Sequence, residues 1–499
     1  MMNRKTTKVI VFIIVIAMVL SSFSFIFFLT PVYGAEKENV YASNRTLMDL
    51  HTGITPQEQE RLSDRLRELE RFLKYIHENY KDEVDFETLV NGAFQGAMNS
   101  LGDPNSVFFT EEAGQAFIEH AIGEFEGIGV VMTMNPGNVC VITEVIAGGP
   151  AARAGVLSGD IIRSIDGQDV SENSLQEISN MLRGRTGTSV QLTVQRAGAN
   201  RTFTITRERV VRANIDYEML EDNIGYIALR RFGANGAREF RAAREQLIDD
   251  GAESLVLDLR NNSGGLVNVA IDIANEFISD GYIVHMKQRG EIFESIHATS
   301  RTGRLLETVL LVNEHSASAS EILAGALQDH NVATIVGTVT YGKGTAQMMA
   351  YTDERRPHTL SIYYFLTPDK NDIHNVGIMP DYVVRNSLGE HREEAARLYQ
   401  AFAPFAENTR PRAGDTGINV FAAQQRLFLL GYSLEMTAVM DDATVQAIRL
   451  FQQEQGLYVY GVLDFTTMSR IREVTSAYIN NDSETDLQLQ KAIELLGGR

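Results

Sequence analysis

Residues 254–265 read Ser-Leu-Val-Leu-Asp-Leu-Arg-Asn-Asn-Ser-Gly-Gly. The apolar run 254–259 has the length and character of a strand buried on both faces. The polar residues after it end on Gly264-Gly265, which turns the chain, and an apolar helical pattern over 266–279 follows. Strand, glycine turn and helix in succession is the repeating unit of an α/β layer. The unit recurs downstream. Residues 309–313 read as a strand, a serine-rich turn follows, and a helix spans 319–329. Residues 333–336 form a third strand that enters a glycine-rich loop. An α/β region therefore spans about 210–386.

Outward from that region the texture changes. Between 118 and 208 the chain carries short β-like runs separated by glycine turns, with strands expected at 139–142, 160–165 and 190–195. The string Gly148-Gly149-Pro150-Ala151-Ala152-Arg153-Ala154-Gly155 reads as a turn into a short helix, and a second helix is expected over 174–182. Leu62, Leu66, Leu69, Leu73 and Ile76 recur at three and four, marking an amphipathic helix over 56–80. A second helix, about 86–100, stops at Leu101-Gly102-Asp103-Pro104. The pair could pack on the body or against another subunit. Residues 388–410 look like a charged helix and linker, 413–473 a small helical unit, and the rest a polar tail.

The N-terminus sets the compartment. Arg4, Lys5 and Lys8 precede an apolar stretch from Val9 to Leu29, interrupted only by Ser21, Ser22 and Ser24. Basic residues before a stretch of this length fit a transmembrane helix with its basic end inside. A signal peptide cleaved near Gly34 is the alternative, and a stretch this long favours the anchor. Both readings export the remainder. The formal net charge of -20 argues against the clustered basic surface that nucleic acid requires. The single cysteine, Cys140, forms no internal disulfide and sits in the run Val139-Cys140-Val141-Ile142, as a buried small hydrophobe would.

Three strings carry candidate chemistry. They are Asp258–Gly265, Ser316-Ala317-Ser318-Ala319-Ser320-Glu321, and Tyr341-Gly342-Lys343-Gly344-Thr345-Ala346-Gln347. A serine hydroxyl attacks a carbonyl only when a base takes its proton. A strand-to-helix junction exposes such a hydroxyl and aims backbone N–H groups at developing negative charge. A lysine buried between glycines loses its charge readily and can serve as that base, with Gln347 orienting the amine. Each string also has a structural reading. Ser318-Ala319-Ser320-Glu321 is a capping box, and the glycine loops can be plain turns.

Taken together, the strings resemble the carboxyl-terminal processing peptidases of the S41 serine-peptidase family. The 25-residue interval between Ser318 and Lys343 matches that family and selects Ser318 over Ser316 and Ser320. The resemblance implies Ser318 as nucleophile, Lys343 as base and Gln347 as its support. It implies an oxyanion hole from the N–H groups of Gly264 and Ala319, and no cofactor or metal. Residues 118–208 resemble a PDZ domain, whose carboxylate-binding loop would be Gly127-Ile128-Gly129-Val130. Arg183 resembles an arginine coupling such domains to the active site. Gln424-Gln425-Arg426-Leu427, Leu430-Gly431-Tyr432 and Phe451–Leu457 resemble the peptidoglycan-binding type 1 domain, although its usual Asp-Gly is replaced around Met440-Asp441-Asp442.

The expected fold is multidomain α+β, with N-terminal helices, a β-rich PDZ domain, an α/β peptidase core and a small helical C-terminal domain. Its divisions fall at 1–35 (anchor or signal), 36–117 (stalk and helices), 118–208 (PDZ), 209–387 (peptidase), 388–412 (linker), 413–475 (peptidoglycan-binding-like) and 476–499 (polar tail). The expected partners are proteins with exposed C-termini, peptidoglycan, the membrane through residues 9–29, and a second copy of the chain. The chain would act at the cell membrane with its catalytic region outside, or be secreted after cleavage.

Other function classes fit less well. A Ser-His-Asp hydrolase could use His315, but the chain has no Gly-x-Ser-x-Gly elbow. A penicillin-binding type of enzyme would need Ser-x-x-Lys, which is absent, and a zinc protease His-Glu-x-x-His, also absent. A catalytically idle scaffold of PDZ and wall-binding domains is the remaining alternative.

Overall fold

The computed structural model describes residues 55–497 apart from 112, 115–116, 119–122, 136–138, 212, 300–304, 352–355, 407, 433 and 482–484. The expected anchor at 9–29, the cleavage site near Gly34 and most of the stalk lie outside the described residues. Among the described residues no helix is long and apolar enough to cross a membrane. The chain divides into two compact units, residues 115–214 and the remainder.

In the smaller unit, a sheet is ordered Val130–Met134, Cys140–Val145, Ile161–Ile165, Ser189–Arg196, Ala199–Thr206, and Gln168–Asp169 pairs with Ile161–Ile165. Alternation drives it: Val190, Leu192 and Val194 point inward and are buried, between polar Gln191 and Thr193. They meet Ile128, Ile142, Ile162, Ile165, Ile178, Leu182 and Ile205 in one core. The short helix Pro150–Ala154 starts on its proline and ends at Gly155, whose φ of 88° is the left-handed cap. The helix Leu175–Leu182 is opened by a capping box between Ser174 and Glu177. Cys140 is buried, and burial pushes its thiol up to about 11, so it stays protonated.

The larger unit is built on a six-stranded sheet ordered Ile215–Met219, Ile224–Leu229, Ser254–Asp258, Glu307–Val312, Thr334–Gly337, Tyr382–Val383. Its first pair is antiparallel and the rest are parallel. The central strand Ser254–Asp258 is buried along its whole length, which explains its lack of alternation. The helices Gly236–Asp249, Val267–Ala274 and Ala319–Asp329 cross between strands. A second, five-stranded antiparallel sheet joins Val107–Phe108, Pro357–Leu366, Tyr282–Gln288 and Glu291–His297, with Thr345–Tyr351 paired to Pro357–Leu366.

The C-terminal segment corrects the sequence reading. The expected polar tail contains the helix Leu487–Gly497. Its residues Leu489, Ala492, Ile493 and Leu496 pack against Ile224, Val256, Val309, Leu311 and Val336, side chains from one face of the parallel sheet. Spacing of three and four places these apolar residues on one stripe. Asp486 anchors the helix start, with both carboxylate oxygens 2.8 Å from Arg260 Nη1.

The helices Ile418–Leu429, Asp442–Glu454 and Phe465–Ile479 form a three-helix core around Phe451, Leu427, Ile448 and Ile471. That core also includes Val339 and touches Met379, so it sits on the loop that leads into the lysine string and on the loop before the strand Tyr382–Val383. A buried ion pair between Arg385 and Glu454 locks the contact at 2.6 Å.

Candidate active site

Three turns meet at the carboxyl ends of the parallel strands, where α/β sheets place their ligands. The first follows Ser254–Asp258. Asn262 is fully buried there and holds the turn with both ends of its amide. Nδ2 donates to Leu229 O at 2.6 Å, and Oδ1 accepts the Gly264 N–H at 2.9 Å. Its carbonyl accepts the Ala317 N–H at 3.1 Å and the Ser320 hydroxyl at 2.8 Å, which ties this turn to the second.

The glycines here are dictated by proximity. Gly264 has φ 107°, and a Cβ there would stand 2.8 Å from Ser318 Oγ. Gly265 has φ 142°, and a Cβ would stand 2.6 Å from Phe232 O. Only glycine supports both the backbone conformation and the approach.

The second turn follows Glu307–Val312. Ser316 is buried and structural, its hydroxyl donating to Leu259 O at 2.8 Å. Ser318 is different. It opens the helix Ala319–Asp329 with φ 65° and ψ -115°, a conformation costly for a residue with a Cβ. The capping box expected from sequence is half formed. Glu321 Oε2 accepts the Ser318 N–H at 2.7 Å, but the Ser318 hydroxyl makes no hydrogen bond among the described residues. It is also 0% exposed. A strained residue with a buried, unused hydroxyl is a poor helix cap. The next N–H, that of Ala319, lies in the first helical turn, where no intrahelical acceptor exists.

The third turn carries Lys343. Gly342 has φ 86°, and a Cβ on Gly344 would lie 2.3 Å from His374 N. Tyr341 N–H donates to Ser316 O at 3.0 Å, joining this turn to the serine turn. Glu321 completes the joint. Its Oε2 takes the N–H of Lys343 at 2.8 Å beside that of Ser318, and its Oε1 takes the Gly342 N–H and the Thr340 hydroxyl, each at 2.6 Å. One buried carboxylate therefore staples the serine backbone to the lysine backbone.

Burial governs the charges. It pulls Lys343 down to about 7, against the opposing influence of Asp103 and Glu321. It pushes Glu321 up to about 7, against four hydrogen bonds that stabilise the anion. Gln347 is buried, with Nε2 donating to Thr345 Oγ1 at 3.0 Å and to Ser361 Oγ at 2.8 Å.

Sequence reasoning finds Glu321 only as a capping partner and passes over Asn262 and Asp103. Both lie in polar turn strings, Arg260-Asn261-Asn262-Ser263 and Gly102-Asp103-Pro104-Asn105, where nothing local marks one polar residue above its neighbours. His315 does not join the site. Its side chain is exposed, with Glu314 as its acidic neighbour at 3.8 Å.

In the smaller unit, Gly127 ends the strand Glu124–Gly127, Ile128 is buried, Gly129 has φ 81°, and Val130 begins the sheet's edge strand. The carbonyls of Ile128 and Gly129 are bound to Ala151 N–H and Ile146 N–H, at 2.8 and 3.0 Å. The edge strand Val130–Met134 leaves one side of its backbone unpaired by any other strand of that sheet. Arg183 lies over the Phe125 ring, 5.6 Å from its centroid.

Comparison with known proteins agrees with this layout. Residues 223–384 match peptidase family S41, residues 141–196 a PDZ domain, and residues 416–471 a putative peptidoglycan binding domain. Residues 31–113 match the N-terminal domain of the activating protease CtpB. The chain is 32% identical over 431 residues to the carboxy-terminal processing protease CtpA of Bacillus subtilis (strain 168), covering 86% of this chain and 89% of that protein. It is 31% identical over 438 residues to a probable CtpA-like serine protease of Staphylococcus aureus (strain N315), covering 86% and 85% respectively. Among solved structures, the photosystem II D1 C-terminal processing protease is 28% identical, with a TM-score of 0.41 and coverage of 62% of this chain and 85% of that one. With a relative this similar over nearly its whole length, the chain belongs to the carboxy-terminal processing serine peptidases of family S41 and carries a PDZ domain.

Proposed function

We propose that the protein is an endopeptidase in which Ser318 is the nucleophile and Lys343 its general base. The observation that carries this reading is the Glu321 carboxylate, which binds the backbone N–H of both residues and holds the two turns together. Neutral Lys343 takes the Ser318 proton, and Oγ attacks the scissile carbonyl. The ammonium then returns a proton to the leaving amine, giving an acyl-enzyme ester. Lys343 next removes a proton from water, which attacks the ester; the resulting ammonium returns that proton to the departing Ser318 Oγ, restoring the serine hydroxyl and neutral amine as the shortened chain leaves. Ser318 N–H is committed to Glu321, so the oxyanion falls to the Ala319 N–H and the Gly264 turn. Gly264 N–H is held by Asn262 Oδ1 and must share its proton with the oxyanion. Ser318 is 0% exposed, so substrate entry requires whatever covers its hydroxyl to move while Glu321 keeps the serine and lysine turns together.

Lys343 works in its neutral form, so kcat/KM is expected to rise as pH climbs through about 7, far below the ordinary lysine range. The sign for stability follows from the same shift. Between about 7 and the ordinary value of 10.5 the unfolded chain binds the extra proton, so stability rises with pH across that window. Lys343→Ala is expected to lower kcat by about a thousandfold or more against an unfolded protein substrate. Near-normal cleavage by that variant would sink the dyad.

Capture of substrate C-termini is proposed for Gly127, Ile128, Gly129 and Val130, with the peptide adding as a strand along Val130–Met134. The open edge of that strand supports it. Amidating the substrate's C-terminus should raise KM, and an unchanged KM would remove the carboxylate role. Leu62, Leu66, Leu69 and Phe72 are exposed along the helix Pro56–Asn79, which supports a dimer closing over this stripe. A monomer by sedimentation at micromolar concentration would refute it. Membrane anchoring through 9–29, with secretion after cleavage near Gly34 as the alternative, is decided by N-terminal sequencing of the mature protein. Wall binding by the helical unit rests on its match to a peptidoglycan binding domain and is tested by sedimentation with purified peptidoglycan.

A further inference from the structure

We propose that the loop 457–464 of the helical unit, with Arg410 and Arg412 beside it, is the face that holds peptidoglycan: Tyr458, Tyr460 and Phe465 lie against sugar rings, and the two arginines take carboxylates of the attached peptides. This rests on the wall-binding reading above and names the surface responsible. The loop joins the helices Asp442–Glu454 and Phe465–Ile479. Its apolar residues divide sharply. Leu463 is fully buried in the three-helix core and Leu457 packs against it. Tyr458 is 81% exposed, and Val459, Tyr460 and Phe465 are exposed as well. A lone exposed apolar side chain is ordinary, whereas a contiguous group of them marks an interaction surface. These are contiguous. The rings of Tyr458 and Tyr460 stand 5.3 Å apart at 62°. The Tyr460 hydroxyl donates to the carboxylate of Asp464, the residue before Phe465. The Arg410 guanidinium lies 4.8 Å from the centre of the Phe465 ring.

The backbone beneath the rings is clamped. Gln452 is fully buried and spends its whole amide on this loop and the helix after it. Its Oε1 accepts the N–H groups of Tyr460 and Gly461 at 3.1 and 3.0 Å. Its Nε2 donates to Val462 O at 3.0 Å and to Thr467 Oγ1 at 3.1 Å. The Leu463 N–H donates to Pro411 O at 3.0 Å, which draws the segment bearing Arg410 and Arg412 alongside. Rings on a fixed backbone lose little freedom when a ligand settles on them.

Charge identifies the partner. Within 408–416 and 457–465 the charged residues are Arg410, Arg412, Asp415 and Asp464. Both acids are committed to local backbone, Asp464 accepting the Thr467 N–H at 2.7 Å and Asp415 the Arg412 N–H at 2.8 Å. Both arginines are exposed, and among the described residues no carboxylate forms an ion pair with either. Free arginines beside exposed tyrosines, on a chain of net charge -20, match a partner that offers both apolar faces and anions. Peptidoglycan offers both. The C–H groups on one face of a pyranose ring carry slight positive charge and suit the negative face of an aromatic ring. Its peptides supply carboxylates, which a guanidinium binds in bidentate fashion. A lipid surface also accepts aromatic and basic side chains. The match of residues 416–471 to a peptidoglycan binding domain contains the whole loop and favours the wall polymer.

The experiment sediments the full chain with purified sacculi stripped of phosphate-bearing polymers, at low and high salt, for wild type, Tyr458→Ala and Arg410→Gln. Tm, and kcat on a soluble unfolded protein, are measured for each. Tyr458→Ala is expected to weaken binding about tenfold at either salt. Arg410→Gln is expected to weaken it about threefold at low salt and to match wild type at high salt, where the charge is screened. Tm and kcat should stay at wild-type values, since both side chains lie in solvent. If Tyr458→Ala lowers Tm, Arg410→Gln decides. Wild type that sediments together with both variants, equally well, rejects this face and leaves wall binding standing. Wild type that stays in solution rejects the wall-binding reading itself. Binding to anionic lipid vesicles in place of sacculi, lost in Tyr458→Ala, overturns the proposal in favour of a membrane face. A dimer that Tyr458→Ala dissociates, without any change in sacculus binding, assigns the patch to a second copy and overturns it equally.

Discussion

The glycines of the three turns around Ser318 and Lys343 and those of the PDZ unit look alike in sequence and are used differently. In the turns they are crowded: a Cβ would stand 2.6 Å from Phe232 O at Gly265 and 2.3 Å from His374 N at Gly344, and in the neighbouring loop one at Gly377 would stand 2.4 Å from Thr340 O. These contacts are with backbone, which cannot swing aside. In the PDZ unit, Gly148, Gly159, Gly167, Gly187 and Gly198 all have positive φ and open space around the missing Cβ. Glycine in the first region permits chain segments to touch, and in the second it permits a tight turn. The proposed peptidase site is thus a packed junction of three turns. The edge strand Val130–Met134, by contrast, borders a sheet of the PDZ unit with no other strand of that sheet on its outer side.

The contrast is broken most directly at Gly344. Gly344→Ala is expected to abolish detectable proteolysis and to cost about 3 kcal/mol or more, because the added methyl must push the lysine loop off the His374 backbone. Activity and Tm of the variant check this. A folded Gly344→Ala enzyme with wild-type kcat would mean the junction is loose.

The fold is legible in the sequence where a local pattern repeats and illegible where pairing is long-range. Residues 254–265 announce their strand and turn, because an apolar run of that length has few alternatives. The helix at 319–329 announces itself by its serine-rich start. The antiparallel sheet linking Val107–Phe108 to Pro357–Leu366 has no such signal, since its partners stand some 250 residues apart. Asp103 reads as part of a helix stop for the same reason. The C-terminal helix reads as a polar tail because glutamines and charges between Leu489, Ala492, Ile493 and Leu496 mask a stripe of ordinary spacing. At the site, Ser318 is legible as helix-initiating. Its left-handed φ and the second use of Glu321 depend on where Lys343 arrives, which no local stretch encodes.

The C-terminal helix sharpens the comparison by testing whether support for the junction is local. It covers the sheet face bearing Val256, Val309, Leu311 and Val336, and Asp486 grips Arg260 two residues before Asn262. Ending the chain after residue 485 removes Asp486 and uncovers that face. Tm of the truncated protein is expected to fall by on the order of 10 °C. Full retention of Tm would show that the helix is an ornament on a finished core.

The smallest effect is expected in the PDZ unit. Gly187 has φ 89° with nothing within 4 Å of where a Cβ would stand, and its N–H donates to Arg207 O at 2.8 Å. Gly187→Ala keeps that hydrogen bond and meets no neighbour, so its cost is the left-handed backbone alone, about 1 kcal/mol. The neighbouring Thr186 donates to the Glu126 carboxylate, one residue before the Gly127–Val130 loop, but a methyl on Gly187 reaches no neighbour, so kcat and KM are expected to stay within about twofold of wild type. The same chemical change, one methyl on a positive-φ glycine, therefore separates the two regions: conformational strain alone at Gly187, strain plus backbone collision at Gly265 or Gly377. A loss of activity in Gly187→Ala comparable to that of Gly344→Ala would show that the PDZ unit is as tightly coupled to catalysis as the turns themselves.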